Sequence, residues 1–253
     1  MSVILEGKQV TKAFGGVKAV NNVDFDLQKG EILGLIGPNG AGKTTLLNCI
    51  SGTFPLTTGE IIFNGKKTSD LKTFEIARLG IGRTFQVVRP FEGMTIRENV
   101  TIGAYFGKTR ALNSNPKQAS ELVDRILEKV KLADQKNKLT TELTIAYRKR
   151  LELARALAME PEVLLLDEVM AGLNAKEIET TMEIVQDINK EGITVVMIEH
   201  VMKAIMGICH RIMVLRWGEK IALGTPEEIV NNELVIQAYL GERYTAYQKG
   251  RVS

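Results

Sequence analysis

The chain has 253 residues, 44% of them hydrophobic and 25% charged, which is enough apolar material for a packed core and argues against disorder. Thirty-three Lys and Arg against 30 Asp and Glu leave a net charge of +3, too balanced to point to nucleic acid. Two cysteines, Cys49 and Cys209, cannot staple a secreted scaffold and read as core thiols in a reducing compartment. No apolar run approaches the ~18–20 residues of a bilayer span, and Glu6 arrives before a signal-peptide core can develop, so no signal peptide is expected.

In chain order, residues 4–10 form a short apolar-rich run predicted as a strand, with Gly15-Gly16 as the turn after it. Over 20–27 the apolar Val23, Phe25 and Leu27 alternate with polar residues, the period of a strand with one wet face. Lys29-Gly30 turns the chain into 31–36, a continuous apolar run of the kind buried on both faces of a sheet. A glycine-rich turn follows, then a helix from about Lys43. Residues 60–63 before Asn64-Gly65 read as a strand ending in a tight turn.

The middle of the chain changes character. Asn115-Pro116 supplies an N-cap and a proline at the first helical position. After it Ala119, Leu122, Val123, Ile126, Leu127 and Val130 share one face at helical spacing. A second helix is predicted over 148–159, with Leu151, Ala154 and Leu157 inward. This stretch sits between two α/β portions and predicts an inserted helical subdomain over about 87–160. Strand, helix and strand then alternate at 163–166, 176–190 and 194–198, which favours a parallel sheet covered by helices. Residues 211–215 and 220–223 flank Trp217-Gly218 as a hairpin, and Thr225-Pro226-Glu227-Glu228 is a capping box opening a final helix. The tail beyond Gly241 is polar and is expected to fray.

Gly37-Pro38-Asn39-Gly40-Ala41-Gly42-Lys43-Thr44 fits G-x-x-x-x-G-K-[ST] in full, between a buried strand and an apolar-periodic helix. The residue types follow from the ligand. Triphosphate oxygens need many donors in a small volume, and glycines let backbone N–H groups turn inward without a Cβ in the way. The helix that follows adds its unpaired N–H groups and the positive end of its dipole. Lys43 is expected to reach the β- and γ-phosphates and Thr44 to offer its hydroxyl to Mg²⁺, with Thr45 beside them in the nucleotide site.

Val163-Leu164-Leu165-Leu166-Asp167-Glu168 places two acids at the C-terminal end of a central strand, the edge at which α/β sheets bind ligands. Asp167 is expected in the Mg²⁺ shell and Glu168 as the general base that polarises the attacking water. His200 follows the apolar strand 194–198 and should reach the same edge, whereas His210 lacks such context and reads as structural.

With these motifs in place the chain resembles the nucleotide-binding subunit of an ABC transporter over essentially its whole length. The resemblance implies a P-loop NTPase core with an N-terminal antiparallel β portion and the inserted helical subdomain. It implies that Phe14 stacks on adenine, and that Gln86 in Arg83-Thr84-Phe85-Gln86 senses Mg²⁺ and the γ-phosphate and links to the membrane subunit. It also implies that Ala171-Gly172-Leu173-Asn174 crosses the dimer interface and that His200 contacts the γ-phosphate. One motif departs. Where the family carries Leu-Ser-Gly-Gly-Gln this chain has Leu143-Thr144-Ile145-Ala146-Tyr147, keeping a hydroxyl but adding a Cβ and a phenol. Val169 stands where proline usually follows the glutamate. Such changes leave the chain's own phosphate loop intact and weaken what it lends to a partner, so a heterodimer would have unequal sites and a homodimer two equal, impaired ones.

Gly80-Ile81-Gly82-Arg83-Thr84-Phe85-Gln86, Met94-Thr95-Ile96-Arg97-Glu98-Asn99-Val100 and the ending Ala238-Tyr239-Leu240-Gly241 are similar to ATPases of branched-chain amino-acid importers. That resemblance implies a peripheral subunit at the cytoplasmic face of the cell membrane, with membrane permeases, a second ATPase subunit or a second copy, and indirectly an extracytoplasmic solute-binding protein. Importers of urea or short amides share much of the pattern, and a non-transport ATP-gated module with slow hydrolysis is the reading from another class. A GTPase would need Asn-Lys-x-Asp; Asn189-Lys190-Glu191-Gly192 lacks the aspartate. A nucleic-acid-acting ABC protein would need a second nucleotide domain or a long coiled-coil insertion, for which there is no room.

Overall fold

A computed structural model of the chain describes residues 2–85, 90–107 and 115–240. Strands β1 (Val3–Phe14), β2 (Val17–Gln28), β4 (Thr58–Phe63) and β5 (Lys66–Lys67) form an antiparallel sheet in the order β2-β1-β4-β5. A second sheet runs β10-β9-β3-β8-β7-β6, from β3 (Ile32–Ile36), β6 (Ile81–Arg83), β7 (Val163–Asp167), β8 (Thr194–Ile198), β9 (Arg211–Arg216) and β10 (Glu219–Gly224). It is parallel throughout except for β10, which returns antiparallel on β9.

The central strands read as unbroken apolar runs because both faces of this sheet are covered. Leu33, Leu35, Leu165, Val196, Ile198 and Met213 pack toward β1, β2 and helix α1 (Lys43–Ile50). Their neighbours Ile32, Ile36, Leu164, Leu166, Val195 and Met197 pack on the opposite side. That side is built by α5 (Ile145–Leu157), α6 (Ala175–Lys190) and α7 (Met202–Ile208). Alternation along each strand therefore divides one sheet between two cores.

Between β6 and β7 the described residues hold α3 (Ile96–Phe106), α4 (Pro116–Lys129) and α5, which pack on one another through Val100, Ala104, Val123, Leu127 and Leu151. Asn115 caps α4 by accepting from the amides of Lys117 and Gln118. Part of the expected subdomain, residues 87–89 and 108–114, lies outside the described residues.

Several boundaries differ from the sequence expectation. β1 and β2 run on to meet at Gly15, whose φ of 58° supplies the turn. α5 begins at Ile145 rather than at 148, because Thr144 accepts the Tyr147 amide at 3.4 Å and caps the helix earlier. The expected single final helix is two helices, α8 (Pro226–Val230) and α9 (Glu233–Leu240): Asn231 ends the first, and the Asn232 side chain accepts the amides of Leu234 and Val235 to restart the second. Helix α2 (Thr73–Leu79), α3, α7 and the edge strand β6 had no counterpart in the sequence reading.

Candidate functional site

Strand order builds the site. β8 lies between β3 and β7, and the register sets Leu35 and Asp167 both opposite Ile198. The glycine loop after β3, His200 after β8, and Asp167-Glu168 at the end of β7 therefore emerge side by side on one sheet edge. A cleft of about 470 Å³ opens there. Its walls are Asn39, Gly40, Ala41, Gly42, Lys43, Thr44 and Thr45, with Ala19 of β2 on one side and Glu168 and His200 on the other.

Two glycines make the loop possible. Gly37 has φ 150°, and a Cβ there would lie 2.1 Å from the Leu215 carbonyl; at Gly42, φ 100°, it would lie 2.2 Å from that of Ala19. The hairpin tip also braces the loop: Gly218 N–H donates to Ala41 O at 3.0 Å, and Asn21 N–H to Gly218 O at 2.8 Å. Lys43 is 6% exposed, and its ammonium donates to the carbonyls of Gly37 (2.7 Å) and Pro38 (3.0 Å). Burial lowers its pKa, while Glu168 and Asp167 pull it back up. The cation is thus held folded over the loop, within the cleft.

Asp167 is 1% exposed, and burial raises its carboxyl against the opposing pull of Arg83. Arg83 reaches Asp167 Oδ2 at 3.0 Å and also donates to Asn48 Oδ1 (2.7 Å) on α1 and to Ser51 Oγ (2.9 Å), which caps that helix. Asp167 Oδ1 is buried with no hydrogen-bond partner, and the Thr44 hydroxyl is near enough to favour the charged form. An orphaned carboxylate oxygen beside a threonine hydroxyl, at the edge of a phosphate loop, is the donor set that Mg²⁺ takes with a nucleotide: few protein oxygens, the rest from phosphates and water.

Glu168 carries φ 53° and is anchored by its own N–H to Ile198 O at 2.9 Å. Its Oε1 lies 3.1 Å from His200 Nε2. In this contact the imidazole donates to the carboxylate in the tautomer that carries its proton on Nε2. His210 sits elsewhere, accepting the Ile32 amide through Nδ1 at 2.9 Å.

The other expected residues are not gathered in this cleft. Phe14 lies at the end of β1, edge-on to Phe54 at 5.3 Å and beneath the Lys12 ammonium, outside the cleft lining. Gln86 lies outside the described residues. Within 143–147, Leu143 and Ala146 are buried, Ile145 is 62% exposed, and the Thr144 hydroxyl is taken up as the cap of α5. In 171–174, Asn174 caps α6 in a reciprocal box with Glu177.

Three residues at the site escaped the sequence reading: Arg83, Lys149 and Glu199. Lys149 donates to the Glu168 carbonyl at 2.5 Å, and Glu199 accepts the Met170 amide at 2.8 Å. The only sequence signal was a charged residue beside an apolar run, as at Glu199 after 194–198, which solvent-facing residues share.

The family model described as ABC transporter matches residues 20–171, more than half of the chain. The chain belongs to the ABC transporter family. A second model, described as branched-chain amino acid ATP-binding cassette transporter, matches residues 219–245 of this ABC protein. It is 43% identical to the high-affinity branched-chain amino acid transport ATP-binding protein LivG of Escherichia coli K12, over 90% of this chain and 94% of LivG. BraF of Pseudomonas aeruginosa, with the same description, is 39% identical over 94% of this chain and 98% of its own. The lipopolysaccharide export ATP-binding protein LptB of Haemophilus influenzae is 32% identical over 95% and 98%. Among solved structures, an ABC transporter cassette in its ADP conformation superposes with a TM-score of 0.83 at 29% identity, covering 96% of this chain and all of that one. A dimeric bacterial ABC transporter cassette gives 0.80 at 29%, covering 88% and 99%. This ABC chain is therefore a nucleotide-binding ATPase whose hydrolysis is coupled to transport. No helix among its described residues is long and apolar enough to cross a membrane.

Proposed function

We propose that this ATPase powers an importer of branched-chain amino acids, as a peripheral subunit on the cytoplasmic face of the membrane, with membrane permeases, a second ATPase or a second copy, and an extracytoplasmic binding protein. The C-terminal match over 219–245, beside the likeness to LivG and BraF, carries the solute class. The meeting of Lys43, Glu168 and His200 in one cleft carries the chemistry.

In this reading the loop amides and Lys43 receive the β- and γ-phosphates, exchanging the carbonyls of Gly37 and Pro38 for phosphate oxygens. Thr44 and Asp167 would hold Mg²⁺, which when bound would supply charge neutralisation. Glu168 orients the attacking water and takes its proton, and His200, donating from Nε2, keeps that carboxylate aimed while lying near the γ-phosphate. Positioning and charge do most of what phosphoryl transfer needs. Residues 143–147 cap the nucleotide of the facing subunit, and 171–174 cross the interface. Phe14, at the end of β1 outside the cleft lining, receives the base, and Gln86 reports to the membrane subunit. A groove of about 740 Å³ runs from Thr44 and Asp167 past Arg83 and Phe85 to Phe91 and Phe106 on the helical side, taken as residues 87–160. Its exposed aromatic rings offer the membrane subunit a place to transmit load.

Steady-state Mg-ATP hydrolysis by this chain alone, and after mixing with a partner ATPase, is the test, with Glu168→Gln as control. Activity that the control abolishes supports the mechanism; turnover above half of wild type in the control sinks Glu168 as base. Reconstitution with permeases and binding protein, comparing leucine, isoleucine and valine with urea and short amides, tests the solute. The altered 143–147 favours one other reading, a slowly hydrolysing ATP-gated module, which silence in every assembled state would support.

A further inference from the structure

Lys149 leaves α5 five residues after Thr144, so it belongs to the helix that the signature segment opens. Its ammonium donates to the carbonyl oxygen of Glu168 at 2.5 Å and lies in the field of the Glu199 and Glu168 carboxylates. The turn it touches needs holding. Glu168 has a left-handed φ of 53°, a conformation that side chains other than glycine resist. The β8 side provides two anchors, Ile198 O accepting the Glu168 amide at 2.9 Å and Glu199 Oε1 accepting the Met170 amide at 2.8 Å. Glu199 is 2% exposed, so this second anchor is shielded from water. Lys149 grips the same turn from the helical side. The catalytic acid is therefore clamped between β8 and the chain's own signature helix.

We infer that Lys149 is a positioning residue: it ties the Glu168 turn to this chain's own α5, so that the acid acting in this chain's cleft and the segment lent to the facing subunit move as one unit. The effect is exerted in cis. Losing Lys149 should disturb hydrolysis at the site built on Glu168 of the same polypeptide, although the lysine follows a segment that serves the other site. This rests on Glu168 being the base, and the experiment separates the two claims.

The experiment uses the assembled dimer with the facing subunit's catalytic glutamate changed to glutamine, so that the only competent site is this chain's Glu168 cleft closed by the other subunit's signature. Lys149→Met keeps the aliphatic stem and removes the charge. It is expected to lower kcat about tenfold or more, as small misplacements of catalytic groups do, while KM for ATP stays within about twofold. Lys149→Arg, which restores a donor, is expected to recover at least about half of wild-type kcat. A helix-packing role alone predicts near-normal kcat for Lys149→Met, and that result would overturn the inference while Glu168→Gln, still inactive, left the base assignment standing. Turnover persisting in Glu168→Gln would remove both claims. In the reciprocal dimer, where this chain carries Glu168→Gln and only its signature serves, Lys149→Met should leave kcat within about twofold; a loss confined to that arrangement would assign the lysine to the facing site and overturn the inference. If Lys149→Met does not fold, as read by thermal unfolding, Lys149→Gln replaces it with the same expectations.

Discussion

Arg83 and Asp167 share a buried ion pair, guanidinium to Oδ2 at 3.0 Å, with the two side chains 6% and 1% exposed. The arginine sits at the end of β6 and its Nη1 donates to Asn48 of α1 and to Ser51 at the end of that helix, so the pair joins the edge strand, the phosphate-loop helix and the acidic strand β7. Removing one member of such a pair leaves a charge in low dielectric. Arg83→Met is expected to destabilise the nucleotide-free protein by about 3–5 kcal/mol in urea unfolding. Mg-ADP should narrow that deficit if Asp167 then faces the metal; an equal deficit with and without it would place the metal elsewhere.

In the proposed mechanism His200, 3.1 Å from Glu168 Oε1, holds that carboxylate in place. His200→Ala should lower kcat on the order of tenfold to a hundredfold while nucleotide affinity stays near wild type. His200→Gln keeps an amide donor and should fall less. Equal activity in all three proteins would mean that the 3.1 Å contact does not orient the base.

The glycines of the loop are not equivalent. Gly42→Ala drives a Cβ to 2.2 Å from the Ala19 carbonyl with φ at 100°, so nucleotide binding and stability should both suffer, by more than about 2 kcal/mol in the latter. Gly40→Ala meets nothing within 4 Å and bears only the strain of φ 79°, about 1–2 kcal/mol. Thermal unfolding of the two variants should separate them clearly.

Burial pushes the Glu199 carboxyl up from 4.5 to about 7. The folded state then holds a proton that the unfolded chain releases, so stability from this group is full below about 4.5 and is lost as pH rises through about 7. The change is on the order of 3 kcal/mol. Urea unfolding between pH 4 and 8, as about eight points, should show Glu199→Gln flattening that decline relative to wild type. Parallel curves would count against a raised carboxyl.

The thiols should be inert. Burial raises Cys49 to about 11 and Cys209 to about 12, leaving almost no thiolate at neutral pH. A thiol-disulfide reagent should label the native protein slowly and both cysteines at once in denaturant. Rapid labelling of the folded chain would show that the core around them opens.

Local chemistry was readable wherever a function depends on neighbours in sequence. The phosphate loop is such a case, because the turn, the inward amides and the helix dipole are all set within eight consecutive residues, 37–44. Capping at Asn115 and Thr225, and the Trp217-Gly218 turn, are others, since the donor and acceptor lie two or three residues apart. Elements without a local signature went unread. β6 has only the three residues Ile81–Arg83, and α7 only seven, too short for a period to stand out.

By itself, then, the sequence determined that the chain carries a nucleotide loop, an acidic strand end and a P-loop α/β core of the ABC type. The order of strands was left to the fold. Placing β8 between β3 and β7 brought His200 against Glu168 across 32 positions of chain, and the short β6 brought Arg83 to Asp167 across 84. Lys149 met Glu168 because the β7 edge packs beneath α5. Each of these charges reads alone as a solvated side chain. For Arg83 and Asp167 burial, which removes water and leaves a charge needing a partner, gives the role, whereas for the half-exposed His200 strand order alone does; both are properties of the assembled sheet and helices rather than of any stretch of residues.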